Sequence, residues 1–274
     1  MDCYKNKVAI VTGGASGVGL ALCQELALYG ATVTVADIQL EKAEQVASAI
    51  CASGGKAFAA FVDVAQEDQV LKLVETVVLR DGQLDYMFNN AGIGIIGEVR
   101  DMTTEQWKKI IDVNLLGVIN GISAAYPIMI KQRSGHIVNT SSGFGLFAMP
   151  THVPYATTKH AIVGLSTGLR QEAEGLGVKV TVACLGIIKT PMSEASTYLK
   201  VKREEMQAKP PFKLMEPDDC ARSILNGVAR NKAIFTIPFN MTLLWWLHRI
   251  SPALTAKGGK MMLQSFRKVR DKYD

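Results

Sequence analysis

Metal-binding and disulfide spacings are what this sequence most plainly lacks. Its five cysteines, Cys3, Cys23, Cys51, Cys184 and Cys220, are scattered, with no Cys-x-x-Cys pair and no metal-like cluster. An odd, unpatterned set argues against a disulfide framework and against a structural metal, and for reduced thiols in the cytoplasm. No charged start leads into an apolar core, so no secretory signal is expected. No stretch reads as the ~18 uncharged apolar residues that cross a bilayer. Internal repeats and low-complexity segments are also missing, which sets aside solenoids and disordered linkers.

What is present is ordinary for one large α/β domain: 274 residues, 48% of them hydrophobic and 20% charged. The net charge of +5 is unevenly placed. From Thr242 onward, Arg249, Lys257, Lys260, Arg267, Lys268, Arg270 and Lys272 face only Asp271 and Asp274. The body is therefore balanced and the tail carries the excess. No nucleic-acid partner is expected.

Along the chain, an apolar β-rich run at residues 8–11 is followed by glycines at 12–19, then by helical spacing up to Tyr29 and a stop at Gly30. Residues 32–36 read as a second strand ending at Asp37, completing a βαβ unit. The alternation continues. Helices are expected at 41–52, 67–78, 105–130, 155–175 and 216–229, with strands at 56–62, 84–89, 136–140, 179–183 and 234–237. Such alternation predicts a doubly wound parallel sheet with helices on both faces and ligands beyond the carboxyl ends of the strands. Residues 1–241 form the expected catalytic domain, including a polar flap at 190–215 that contains Pro210 and Pro211. Residues 242–274 form a basic amphipathic extension, with a glycine break at Gly258–Gly259.

Chemistry concentrates in SGFGLFAMPTHVPYATTK. Tyr155 and Lys159 stand four apart in a helical run, so the ammonium can sit beside the phenol. A phenol titrates near ~10 in water, and a nearby cation lowers that value toward a working acid or base. Ser142 precedes Tyr155 at the end of a strand. Glycines at the first strand-to-helix turn let a backbone approach a pyrophosphate at the helix N-terminus. Asp37 is spaced to accept from adenosine ribose hydroxyls.

With these residues the chain resembles the short-chain dehydrogenases/reductases, in the branch with one Rossmann domain of ~250 residues. The resemblance covers roughly residues 5–238. TGGASGVG fits the TGxxxGxG turn, NNAG the motif under the central strand, and Val113–Asn114, Ser142 and YATTK the catalytic tetrad. It implies that Tyr155 is the general acid/base, that Lys159 lowers its pKa and binds the nicotinamide ribose, and that Ser142 holds the substrate oxygen. Asn114 would hold a water linking Lys159 to solvent. The cofactor would lie on Gly13, Ser16, Gly17, Val18, Gly19, Asp37, Ile38, Asp63, Val64, Asn90, Ala91, Gly92, Tyr155, Lys159, Gly186, Ile188 and Thr190. Where the family has Pro-Gly this chain has Leu185–Gly186, which puts the rigidity of that loop in question. Asp37 would repel a 2′-phosphate, and Ser16 and Ile38 stand where NADP users tend to place a cation, so NAD is expected.

The expected function is an NAD-dependent oxidoreductase acting on a lipophilic secondary alcohol or ketone, steroid-like, retinoid-like, fatty or aromatic. Ile93, Ser142, Phe144, Leu146, Met149, Met192 and Tyr198 are expected to face the substrate. The alternative is a catalytically idle dinucleotide-binding regulator on the same fold. An epimerase or dehydratase of the longer branch is disfavoured, because its GxxGxxG turn and larger C-terminal domain are missing. A homodimer or homotetramer is expected, pairing through the helices of Asn114 and Tyr155. Two readings of the tail stand: a packing element with a solvated basic end, or a peripheral membrane contact.

Overall fold

The computed structural model describes residues 1–206 and 214–270, so Pro210 and Pro211 of the expected flap lie outside the described residues. The chain runs β1 (Val8–Thr12), α1 (Gly17–Leu28), β2 (Thr32–Asp37), α2 (Leu40–Ala52), β3 (Lys56–Phe61), α3 (Glu67–Asp81), β4 (Tyr86–Asn89) and β5 (Ile95–Ile96). Next come α4 (Thr104–Ile111), α5 (Gly117–Gln132), β6 (Gly135–Ser142), α6 (Val153–Glu172) and β7 (Val178–Leu185). Then come α7 (Met192–Ala195), β8 (Thr197–Tyr198), α8 (Arg203–Met206), α9 (Pro217–Ala229), β9 (Ile234–Ile237), α10 (Phe239–Ile250) and α11 (Pro252–Arg270).

Seven parallel strands form one sheet in the order β3-β2-β1-β4-β6-β7-β9. All five residues of β1 are buried, as a strand covered on both faces requires. Its side chains alternate: Ala9 and Val11 join Leu22 and Leu26 of α1 and Ile224 and Leu225 of α9. Val8 and Ile10 join Val74 of α3, Ile122 and Met129 of α5 and Ile162 of α6. A two-layer core on one sheet results from that period of two. The strand order reverses between β1 and β4, which opens a crevice at their carboxyl ends.

Four local features differ from the sequence reading. The helix expected over 105–130 is interrupted by a π-helical turn, Asp112–Leu116, between α4 and α5. A π turn inserts one extra residue and rotates the rest of the helix about its axis, and Asn114 within it is fully buried. The run from 104 to 132 is also long and apolar enough to cross a bilayer, contrary to expectation. Val118, Ala125 and Met129 bury it against the sheet, so its apolarity is that of a core helix.

The short strands β5 and β8 form a second, parallel pair, Ile95 beside Thr197 and Ile96 beside Tyr198. Two-residue strands carry no readable period, and no strand was expected there. Finally, α11 runs straight through Gly258–Gly259. Gly259 is buried, and a Cβ on it would come 3.1 Å from Pro150 Cδ. That glycine permits close approach of the tail to the body and does not break the helix.

The tail is thus a helical hairpin, α10–α11, pinned by His248 Nδ1 and Thr255 Oγ1 at 2.8 Å. It begins at Phe239, three residues before the expected start of the extension. Its last turn docks on the segment before α4. Phe266 is buried, and Arg267 and Arg270 pair with Glu98 and Asp101. The basic end is therefore an anchor at these two arginines, which corrects the picture of a merely solvated face.

Candidate active site

The crevice holds a cavity of about 1050 Å³ running from the glycine turn after β1 to the α10–α11 hairpin. At one end, φ is +65° at Gly13 and +54° at Gly17, conformations that suit glycine. A Cβ on Gly13 would meet Ala91 Cα at 2.9 Å. Thr12 ties this turn to the next strand: its Oγ1 donates to Phe88 O and accepts from the N–H groups of Asn90 and Ala91 at 3.0 and 3.1 Å. Ser16 caps α1 without a side-chain bond, so the first-turn N–H groups at Gly17, Val18 and Gly19 open toward the cavity.

Asp37, at the end of β2, is buried and held rigidly. Its Oδ2 accepts from Ala15 N–H at 3.0 Å and its Oδ1 from Gln39 N–H at 2.9 Å. Ile38, Asp63, Val64, Asn90, Ala91 and Gly92 line the same half. Asp63 Oδ1 accepts from Ala65 N–H, closing the turn after β3. Gly186, Ile188 and Thr190 line the opposite wall. Leu185 pairs with Ile237 in the β7–β9 ladder, and Gly186 N–H donates to Ile237 O at 2.6 Å. The loop that lacks proline is fixed instead by strand pairing. A helix N-terminus free of side chains, glycines that a Cβ would fill, and a fixed carboxylate fit a dinucleotide: amides for the pyrophosphate, the acid for ribose hydroxyls.

At the other end, β6 delivers Ser142 and α6 delivers Tyr155 and Lys159 to the cavity. Pro154 sits in the first turn of α6, where its missing N–H costs no helix bond. Ser142 Oγ accepts from Phe144 N–H at 3.2 Å, and the Phe144 ring stands edge-on to Tyr155 at 6.4 Å. Lys159 is buried; its Nζ donates to Thr140 O at 2.9 Å and lies 5.5 Å from the Tyr155 ring centroid.

Burial lowers Lys159 to about 8, against the weaker opposing influence of Cys184. Burial also raises the Tyr155 phenol above its ordinary value, with Ser142 pulling it partly back. The expected lowering of Tyr155 by Lys159 is thus not seen in this arrangement. The ammonium is turned to the Thr140 carbonyl and the ring face, and desolvation outweighs it.

Asn114 lies behind the cavity wall, outside its lining. Its Oδ1 accepts from Ile93 N–H at 2.8 Å and its Nδ2 donates to Ile93 O at 3.0 Å. A side chain so engaged fixes the segment that carries Gly92 and Ile93. A Cβ on Gly92 would lie 3.3 Å from Asn114 Oδ1 and 3.7 Å from Lys159 Nζ, so the glycine lets the three meet.

Of the residues expected to face substrate, Ile93, Phe144, Met149 and Met192 line the cavity with Ser142. Leu146 does not: it comes after the 3₁₀ turn Gly143–Gly145 and packs on the core under α6. Its neighbour Phe147 takes the lining position. Tyr198 is also outside, held in the β5–β8 ladder with its hydroxyl donating to Ser193 O at 3.0 Å. Sequence reasoning missed His152, and it missed Met241, Leu244, Leu247 and Met262, by which the hairpin walls the cavity. Burial keeps His152 below its ordinary value, hence neutral. The helical spacing of the tail's apolar residues was the available signal, but nothing in it says which face meets the body.

Comparison with known proteins agrees with this fold. A family model described as short chain dehydrogenase matches residues 7–198. An uncharacterised oxidoreductase of Listeria innocua is 40% identical over 195 residues, 70% of this chain and 79% of the relative. A cyclohexanol dehydrogenase of an Acinetobacter strain is 36% identical over 190 residues, 69% of this chain and 76% of the relative. Among solved structures, a short-chain dehydrogenase/reductase of Burkholderia phymatum in complex with NAD superposes with a TM-score of 0.85 at 25% identity, covering 93% of this chain and 97% of that one.

Proposed function

Since the chain belongs to the short-chain dehydrogenase family, we propose that it is an NAD-dependent oxidoreductase interconverting a lipophilic secondary alcohol and its ketone. The observation that carries the reading is the juxtaposition of Tyr155, Ser142 and Lys159 with an apolar wall at one end of a cavity whose other end bears Asp37. A bound nicotinamide supplies the hydride acceptor or donor. The chain's own task is the proton. As the phenolate, Tyr155 would take it from the carbinol oxygen in oxidation, and as the phenol it would give it to the carbonyl oxygen in reduction. Ser142 Oγ would orient that oxygen, and Lys159, whose Nζ donates to Thr140 O beside the Tyr155 ring, would be the cation available to a bound ribose. Asn114 keeps Ile93 and Gly92 in position through its two backbone bonds.

NAD is favoured because Asp37 is buried, anchored by two amides and followed by the apolar Ile38, a poor setting for a 2′-phosphate. The substrate end is walled by Ile93, Phe144, Phe147, Met149 and Met192, and no Arg lines the cavity among the described residues. That chemistry suits a bulky alcohol without a phosphate or carboxylate, and the cyclohexanol dehydrogenase relative supports an alicyclic one. A cytoplasmic homodimer or homotetramer and a peripheral membrane contact of the tail belong to the same reading; Leu116 and Val153, at the starts of α5 and α6, are partly exposed apolar groups in keeping with subunit pairing. The test is a panel of alicyclic, steroidal, fatty and aromatic alcohols with NAD or NADP, followed by reduced-nicotinamide absorbance. Turnover of none, with NAD bound, would favour an idle dinucleotide-binding protein.

A further inference from the structure

Helix α10 lies at the surface, yet it is apolar on two sides. Toward the body it contributes Met241, Leu244 and Leu247 to the cavity wall. Away from it, Phe239, Leu243, Trp246 and Ile250 recur at i, i+4, i+7 and i+11, one helical face. These four are 72, 58, 56 and 79% exposed, and no residue of α10 is buried. A helix that is apolar nearly all round is ordinarily covered on both sides.

Charge says what covers it. From Cys220 to Arg270 the sequence contains no Asp or Glu. The hairpin meanwhile exposes Arg249, Lys257, Lys260 and Lys268, while Arg267 and Arg270 are spent on Glu98 and Asp101. Two copies of the hairpin packed stripe to stripe across a twofold axis would bring cations against cations with no carboxylate of the described hairpin between them. Anionic headgroups answer those cations, and acyl chains answer the stripe. Trp and Phe beside Lys and Arg is also the composition of an interfacial helix.

We propose that the outer face of α10, with the exposed cations of the hairpin, is a peripheral docking surface for an anionic phospholipid bilayer. At twelve residues the helix is ~18 Å long, too short to span, and lies in the interface plane. This inference rests on the lipophilic-substrate reading for its purpose. The helix that touches lipid is the one that walls the cavity, so a membrane-dissolved alcohol enters past Leu244 and Leu247 without crossing bulk water.

The test is cosedimentation of the full-length protein with phosphatidylcholine vesicles and with mixed phosphatidylcholine–phosphatidylglycerol vesicles, at low and high salt. Phe239→Ser/Ile250→Ser and Lys257→Glu/Lys268→Glu accompany it, with thermal unfolding to verify that each variant folds. None of the four residues lines the cavity. The expected result is pelleting on the anionic vesicles only, weakened by salt, and reduced at least about tenfold by either pair of changes. Absence of wild-type pelleting overturns the proposal. So does a native mass that falls to the monomer's in Phe239→Ser/Ile250→Ser, which would make the stripe a subunit contact. Turnover of the same alcohol panel with NAD or NADP, measured on the same samples, separates the two readings. Vesicle binding without turnover sinks the enzyme reading alone, and turnover without vesicle binding sinks the docking alone.

Discussion

Arg270 grips Asp101 across 169 residues of chain, Nε to Oδ2 and Nη2 to Oδ1 both at 2.8 Å, with both side chains under a tenth exposed. The guanidinium bond is the largest cause that holds the Asp101 carboxyl below its ordinary value. Glu98 beside it accepts from Arg267 and Arg100 and is lowered too, first by Arg267. This two-carboxylate socket fastens the hairpin that walls the cavity. Removing Asp101 deletes two charge-assisted hydrogen bonds while Arg270 keeps Glu98, 3.8 Å from its Nε, at a cost of ~1.5–3 kcal/mol. Asp101→Ala should therefore lower the thermal midpoint and raise KM for a lipophilic alcohol, while a short alcohol is turned over as before. Unchanged KM for both would show that the hairpin does not form the substrate wall.

Tyr155→Phe removes one hydroxyl and leaves the aromatic packing against Phe144 in place. We expect kcat to fall by ~10²–10⁴-fold with NAD affinity nearly unaltered. Stopped-flow turnover alongside calorimetric NAD titration checks both halves. A variant keeping more than about a tenth of the activity would assign the proton to another group.

Asp37→Ala combined with Ile38→Arg should raise the NADP-to-NAD ratio of kcat/KM by at least about tenfold, by removing one charge and supplying its opposite. It also orphans the N–H groups of Ala15 and Gln39, so a loss of ~1–3 kcal/mol of stability is expected with it. Equal use of both cofactors by the unaltered protein would defeat the charge argument at once.

Lys159 and Tyr155 share one site, with the lysine Nζ 5.5 Å from the phenol ring centroid. Lysine is brought down to about 8 while the phenol is raised, so the first loss occurs through about 8. Above that pH the pair acts as a base and kcat/KM for alcohol oxidation should rise; below it, carbonyl reduction should be favoured. In Lys159→Met the inflection should move toward the raised phenol value. An inflection that stays where it was would clear lysine of the titration.

His136 is buried with its Nε2 at 2.8 Å from Thr181 Oγ1. Thr181 donates its own proton to Lys232 O, so the imidazole is neutral with hydrogen on Nε2. Burial lowers it from 6.5 to about 3. A depressed folded value means stability complete above about 6.5 and lost as pH falls toward 3, because only the unfolded chain then takes up the proton. The loss amounts to roughly 4 kcal/mol at the acid end. Urea unfolding of the protein and of His136→Gln over that range should give a shallower pH slope in the variant. Parallel slopes would point to other groups.

The sequence by itself determined the alternation of strands and helices, the parallel sheet, and the residues that gather at its carboxyl edge. Period-two and period-3.6 apolar patterns, glycines at the first turn and the Tyr155–Lys159 spacing are local properties, and local sterics and burial enforce them wherever the chain lies. Only the tertiary structure decided that Asn114 turns inward through a π turn to grip Ile93, that Phe147 and not Leu146 faces the cavity, and that Tyr198 is tied up in a two-strand ladder. It also decided that Gly259 seats α11 against Pro150 and that Arg267 and Arg270 reach Glu98 and Asp101. Each of these turns on a partner more than ten residues away or on a rotation of one residue, which no local period encodes. A side chain's chemistry is written at its own position, whereas the face it presents is chosen by whatever packs against it.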